Sequence, residues 1–380
     1  MTAKAWRLPV LAEMLDRDTG RAEDSQAQAQ KEIIEKTLAD FGYTIEIQAI
    51  HEGPMVTQFG LKPGPDTRLS KIKGLDQDLA LALSGLPVQI AEPTPDYPSL
   101  RLIVPKQQRR LVRMRRLLES DAFKESHGNL KIALGLDAFG QPVVIDLTEM
   151  PHLLIGGMTG SGKSMCLNGM IAGLLCIYRP DQVQFLLIDP AQVELKQYNG
   201  IPHLFGSIVT DSETVVEALE TANKEINRRF TEFSKLGMRD LLTYNRRAPH
   251  VGRQLYPYLV IIIDNLVDLM MRHPTKVENN LTRIAAMGRS AGVHLVFATQ
   301  RSNVEIVSGA IKANASVRIA FQVTSNIDSR LILDGSGAEE LRGPGDMLYR
   351  APTTNQPQRV QGVFVSDAEI IKLVRFWRRQ

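Results

Sequence analysis

The sequence predicts an α/β fold, a parallel sheet built around a phosphate-binding loop and preceded by a smaller α+β domain, and three observations carry that prediction. Residues 157–164 read GMTGSGKS, which fits the pattern GxxxxGK[ST]. The apolar run His152-Leu153-Leu154-Ile155 ahead of it reads as a buried strand, and Met165 onward reads as a helix. Two later runs, Val183 to Ile188, apolar but for Gln184, and Leu259 to Ile263 are each followed by an aspartate, the pattern of strands covered on both faces. The stretches between such runs are helical in spacing, so this part of the chain alternates β and α.

Composition narrows the class. A chain of 380 residues with 43% apolar and 23% charged side chains has room for two or three folded domains. The net charge of +3, from 45 basic and 42 acidic residues, does not announce a nucleic-acid binder, so any such contact must come from local clustering. Cys166 and Cys176 fall on one expected helix, roughly 15 Å apart by helical rise, and cannot pair with each other. That suits a reducing cytoplasm. No apolar run approaches the ~20 residues of a membrane span, so no membrane contact is expected of this chain itself.

In chain order, residues 1–41 read as a linker followed by one helix, with Ile33, Ile34, Leu38 and Phe41 at helical spacing. Residues 42–130 read as the small α+β domain. Its strand-like runs are Tyr43 to Ile50, Met55 to Leu61, Val88 to Ile90 and Leu100 to Val104, broken by Gly and Pro, with a helix near Leu75 to Leu83. Within it, Lys106 to Glu119 packs Lys106, Arg109, Arg110, Arg113, Arg115 and Arg116 into a helical stretch. The stretch is either a solvated face with Leu111, Met114 and Leu118 turned inward or a phosphate-contacting helix. Residues 131–380 read as the nucleotide-binding domain. It opens on a hairpin, Ile132 to Leu136 and Val143 to Leu147. After the loop come a helix to about Tyr178, the strand Val183 to Ile188 and a long helix from Ser212 capped by Asp211. Strands at Tyr258 to Ile263, His294 to Ala298 and Arg318 to Val323 follow, with a helix over Val277 to Ser290.

The chemistry starts at the loop. Gly157, Met158, Thr159, Gly160, Ser161, Gly162, Lys163 and Ser164 form a cradle in which glycines let backbone N–H groups turn toward a phosphate and the following helix adds the positive end of its dipole. Lys163 would reach the β- and γ-phosphates of ATP, and the Ser164 hydroxyl would hold Mg²⁺. Asp264, at the end of an apolar strand, is the expected second Mg²⁺ partner; alone it would be an ordinary polar strand end, but it lies downstream of a good phosphate loop. The next residue is Asn265, where ATPases of this kind usually place a glutamate. An amide orients a water but accepts no proton at neutral pH, and Asp268 is the nearest other carboxylate in sequence. Thr299 and Gln300, ending the strand from His294, are candidate sensors of the γ-phosphate. Arg289 is either a charge-stabilising group for a neighbouring subunit's site or an ordinary exposed arginine.

Taken together these residues resemble the motor region of the FtsK/SpoIIIE family of bacterial DNA translocases, from about Gly53 to the C-terminus. The stretches GPMVTQFGLKPGP, SKIKGLDQDLALAL and ESDAFK resemble the family's smaller α domain. MPHLLIGGMTGSGKS, LLIDPAQVELKQYNGIPHL, VIIIDNLVDLMM, GRSAGVHLVFATQR, IKANASVRIAFQVTSNIDSRLILD and GAEELRGPGDMLY resemble successive blocks of its β domain. The resemblance implies a RecA-like P-loop NTPase core and a homo-oligomeric ring, a hexamer, that threads double-stranded DNA through its pore at the expense of ATP. It further implies that Gln300 meets the γ-phosphate and that Arg289 reaches into the adjacent subunit's site. The chain departs from the family pattern at Asn265, at Ala191 and Gln192, where a Lys or Arg is usual nearby, and at Ser302, where a Pro is usual. The first departure bears on hydrolysis, the others on the coupling of nucleotide state to DNA. Two other readings stay open: a nucleotide-binding ring subunit that hydrolyses poorly, and a protein-exporting ATPase with the same core.

Overall fold

The structure, a computed structural model, describes residues 5–17, 24–64, 72, 74–91, 99–106, 111–300, 309–352, 354 and 356–380. These pack into two units: the described residues of 18–112 with 136–143, and those of 1–17, 113–135 and 144–380.

The smaller unit is an antiparallel sheet of strands β1 (Ile45–Glu52), β2 (Val56–Pro63), β3 (Gln89–Ala91) and β4 (Leu100–Pro105) in the order β1-β2-β4-β3. Helices α1 (Asp24–Asp40) and α2 (Asp76–Ala82) supply the other side of its core. Ile34 and Leu38 of α1, Phe59 and Leu61 of β2, Leu79 of α2 and Leu102 and Val104 of β4 are sealed from water together. The face α1 buries is Ala27, Gln30, Ile34 and Leu38, spaced three and four residues apart; Ile33 and Phe41, expected on that face, are exposed.

The larger unit holds the expected α/β core. Its strands are β5 (Val112–Arg113), β6 (Lys131–Asp137), β7 (Pro142–Asp146), β8 (His152–Gly157), β9 (Val183–Ile188), β10 (Tyr258–Ile263), β11 (Val293–Gln300), β12 (Val317–Phe321), β13 (Asp346–Arg350) and β14 (Gln358–Phe364). The main path through the sheet is β7-β6-β14-β13-β12-β8-β11-β10-β9, with β5 paired to β14. The run β12-β8-β11-β10-β9 is parallel, and β13 and β14 extend it antiparallel. The sheet is therefore mixed rather than purely parallel.

Its principal helices are α3 (Met114–Glu119), α4 (Lys163–Ile177), α5 (Ser212–Lys235), α6 (Leu266–Arg272), α7 (Pro274–Ala291), α8 (Asn326–Leu333) and α9 (Asp367–Arg378), with further short helices at Leu11–Met14, Asp121–Glu125, Leu241–Arg247 and Gly309–Asn314. One sheet face presents Leu154, Leu186, Ile188, Leu259, Ile261, Ile263, Leu295 and Phe297 to α5 and α7 in a single apolar cluster. Because strand side chains alternate, Leu153, Ile155, Leu187, Val260 and Ile262 point the other way, and they too are wholly buried. Burial on both faces explains why these runs lack polar alternation.

Three expectations change. Residues 5–17 are no linker: Trp6 packs edge-on against Trp377 at 6.4 Å, the Arg7 N–H donates to Gln380 Oε1 and the Asp16 N–H to Glu369 Oε1 at 2.8 Å. The division expected between residues 130 and 131 falls earlier, because Met114 and Leu117 are fully buried in the larger unit, and α1 belongs to the core of the smaller unit rather than lying ahead of it. The basic stretch is not one helix. Residues 107–110 lie outside the described residues, Leu111 is exposed, and β5 precedes the short α3. Lys106 pairs with Glu52 at 3.1 Å, with the Lys106 side chain largely buried, and Arg115 pairs with Glu119 at 2.8 Å.

Candidate functional site

The loop after β8 rises from the C-terminal edge of the parallel strands. Gly157, Gly160 and Gly162 have φ of 152°, 77° and 115°, conformations that only glycine adopts without strain. A Cβ on Gly162 would meet the backbone nitrogen of Gly345 at 2.6 Å, and one on Gly157 would meet Phe321 Cβ at 2.7 Å. The loop is thus seated on residues far ahead in sequence, fastened by the Gly345 N–H to Ser161 O at 2.9 Å and the Met158 N–H to Gln322 O at 2.9 Å. Ser161 turns inward, its Oγ donating to Met158 O at 2.7 Å, while Met158, Thr159 and Gly160 face solvent. Gly162 caps α4 without any side chain, so the first N–H groups of that helix are left for a ligand.

Lys163 is the first residue of α4 and is buried. Its ammonium donates to Gly157 O at 2.7 Å and Met158 O at 2.8 Å, bending back over the loop. Burial lowers its pKa to about 8, against an upward pull from Asp264. Asp264 directly follows β10 and is also buried. Burial first, then the charges of Asp189 and Glu194, raise its carboxyl to about 6, while Lys163 and the Asn265 N–H pull it partly back. Lysine and aspartate thus sense each other, yet burial outweighs that attraction at both, which leaves the site in want of further charge. A hydroxyl at Ser164 and a carboxylate at Asp264 are hard oxygen donors of the kind Mg²⁺ takes, and the uncompensated acidity around Asp264 fits a cation.

Asn265 stands at φ 63° and ψ 68°, in the left-handed region asparagine tolerates better than most residues, and starts α6. Its Nδ2 donates to Asp268 Oδ2 at 2.5 Å, so the two side chains form one unit. Gln300 ends β11 in register with Gly157, at the same sheet edge as the loop; its side chain is outside the described residues, as is Ser302. Thr299 is fully buried, and its Oγ1 has no partner among the described residues. Arg289 is exposed in the last turn of α7, which leads into the start of β11. It therefore sits at the opposite end of the strands from its own chain's loop. Ala191 and Gln192 are exposed, Gln192 at φ 58°.

The match to known proteins follows this geometry. Residues 113–304 match the FtsK/SpoIIIE family and residues 8–106 the FtsK alpha domain. The chain belongs to the FtsK/SpoIIIE family. Among its relatives, the DNA translocase SftA of Bacillus subtilis is 42% identical over 97% of this chain and 39% of its own length. The DNA translocase SpoIIIE of the same organism is 41% identical over 98% of this chain and 48% of its own. The chain thus spans less than half the length of either relative. In fold it is similar to the pCW3 conjugation coupling protein TcpA, with a TM-score of 0.62 and 18% identity over 93% of this chain and 100% of that one. It is also similar to the cytoplasmic domain of the Type VII secretion ATPase EccC of Thermomonospora curvata, with a TM-score of 0.58 and 26% identity over 66% of this chain and 31% of that one.

In this member of the FtsK/SpoIIIE family the glycine-built loop, Lys163 and Asp264 come together at the C-terminal edge of the parallel strands. Sequence reasoning passed over Asp189, read only as the end of a strand, and Glu194 beyond it. Asn168 shows why they belong here. It lies one turn past Ser164 on α4, its Oδ1 accepts from Tyr198 OH at 2.8 Å and Gln197 Nε2 at 3.0 Å, and its Nδ2 therefore faces Glu194 Oε2 at 3.5 Å. The one available signal was an aspartate closing a second continuous apolar run. Among the described residues no helix is long and apolar enough to cross a membrane.

Proposed function

We propose that this chain is the ATP-dependent motor of a double-stranded DNA translocase, working with Mg²⁺ as a homo-oligomeric ring, a hexamer, in the bacterial cytoplasm. The observation that carries the reading is the meeting of Lys163 and Asp264 below a glycine-built loop whose helix N-terminus has no side-chain cap. Relatives named DNA translocase that align over 97% and 98% of the chain support DNA as the substrate. The alpha-domain match over residues 8–106 supports that substrate over an exported protein.

In this reading the loop N–H groups from Gly157 to Ser164 hold the phosphates, and Lys163 leaves its two carbonyls to reach the β- and γ-oxygens. Ser164 and Asp264 would hold Mg²⁺, which supplies charge neutralisation at those oxygens. Gln300 stands at the γ-phosphate edge, and Arg289, remote from its own loop, serves the neighbouring subunit. Asn265 keeps its amide oxygen to orient a water, and Asp268, bonded to its Nδ2, is the adjacent proton acceptor. A nucleotide-binding ring subunit with little hydrolysis is the second reading, favoured by that same asparagine.

The deciding experiment is ATP turnover with and without long duplex DNA, alongside DNA binding at several salt concentrations. The motor reading expects duplex DNA to raise turnover, and binding that ignores sequence and falls steeply with salt. Turnover indifferent to DNA, or strong preference for one sequence, overturns it. Tight ATP binding with negligible turnover in both conditions favours the second reading.

A further inference from the structure

Asp189 follows β9 directly, and its neighbour across the sheet is Asp264. Ile188 and Ile263 pair in parallel register, and the Asp264 N–H donates to Ile188 O at 3.0 Å. The two aspartates are thus the next residues out on adjacent strands, about 4.8 Å apart at the backbone. Asp189 is completely buried. One oxygen, Oδ2, is occupied, accepting from the Glu194 N–H at 3.1 Å and the Leu195 N–H at 2.9 Å. The other, Oδ1, has no partner among the described residues.

A buried carboxylate oxygen without a donor is strongly unfavourable, and such an orphan marks an ion or an ordered water. Lys163, the nearby cation, is committed to Gly157 and Met158. The loop that Oδ2 ties down is the one that brings Glu194 against Asn168, one turn beyond Ser164, so Asp189 anchors a segment facing the same side of α4 as the Ser164 hydroxyl. Among the described residues no three His, Cys, Asp or Glu side chains are grouped to ligate a metal directly. A role for Oδ1 toward a cation therefore runs through a bound water, and Mg²⁺ characteristically keeps several of its waters.

We propose that Asp189 is a third protein group of the divalent-cation site, its Oδ1 accepting a hydrogen bond from a water ligand of the ion that Ser164 and Asp264 hold. The proposal rests on reading the loop as a nucleotide and cation site. It makes Asp189 a positioning residue with two separable jobs: Oδ2 shapes the loop, Oδ1 orders the cation's hydration.

Asp189→Asn separates them, because the amide oxygen can keep both loop N–H bonds while an NH₂ replaces the orphaned acceptor with a donor. The full chain is titrated with a fluorescent ATP analogue at a series of MgCl₂ concentrations and in EDTA. D189N is expected to match the parent in melting temperature and in EDTA, and to need about tenfold more Mg²⁺ for half-maximal enhancement of binding, since outer-shell groups are worth roughly 10–100-fold in metal affinity. The same Mg²⁺ dependence in D189N and the parent, with D264N displaced, overturns the proposal and leaves Asp189 as a loop anchor. An unchanged Mg²⁺ dependence in D264N as well overturns the underlying cation-site reading with it. If D189N does not fold, Asp189→Ser, which keeps one acceptor oxygen and lacks the second, gives the same comparison.

Discussion

Replacing Asp264 by asparagine should stabilise the protein when nucleotide and divalent cations are absent. The folded-state carboxyl titrates at about 6 against an ordinary 3.8, burial being the first cause and Asp189 the second. Raised in the folded state, the group favours folding fully below about pH 4, and that contribution is lost as pH rises through about 6. The gap is equivalent to about 3 kcal/mol once the carboxylate is fully ionised. Asparagine has no such loss. D264N and the parent should therefore be closest in acid, separate by about half the full amount near pH 5, and differ by a constant amount above pH 7. In thermal melts of stripped protein this appears as a rise on the order of 5–10 °C at neutral pH. Melts at pH 5, 6, 7 and 8 check it. If D264N is no more stable than the parent at pH 7, or if the difference does not grow with pH, then Asp264 is not the desolvated, like-charge-pressed group described.

Lys163→Ala should abolish measurable ATP binding in a titration while leaving the fold intact, since the loop is held by backbone contacts to Gly345 and Gln322 and not by the lysine alone. Asn265→Glu should raise DNA-stimulated turnover, because general-base contributions run about 100- to 10,000-fold, but at a stability loss of roughly 1 kcal/mol for placing a longer side chain at φ 63° beside Asp268. Equal turnover in N265E and an already brisk parent would assign the base to Asp268.

The parallel core was legible because its strands are buried on both faces. Val183–Ile188 and Tyr258–Ile263 are apolar almost without interruption and were found to the residue. β13 and β14 were not read as strands because they carry Asp346, Arg350, Arg359 and Gln361, whose polarity is satisfied in three dimensions: Asp346 is buried and bound by Arg359 at 2.8 Å. The segment 5–17 looked like linker because its anchors are isolated in sequence: Trp6 meets Trp377 of α9 only in the fold, and Leu15 is buried there. At the site, the loop and Asp264 announce themselves by local pattern. Asp189 does not, because its significance lies in the register of β9 with β10, which no local window contains.

The folded-back Lys163 has a kinetic implication. Its ammonium has two oxygen partners, the carbonyls of Gly157 and Met158. In the proposed nucleotide site, arrival of a phosphate would be a swap of acceptors, so the contact would contribute only the difference between phosphate and carbonyl bonding. The same arrangement works in reverse when spent nucleotide departs. The ammonium is not stranded in a buried site but falls back on acceptors at hand, which lowers the energy of the emptied state and favours discharge. In the proposed motor, wherever product release limits the cycle, that reserve pair of carbonyls would act as a reset spring.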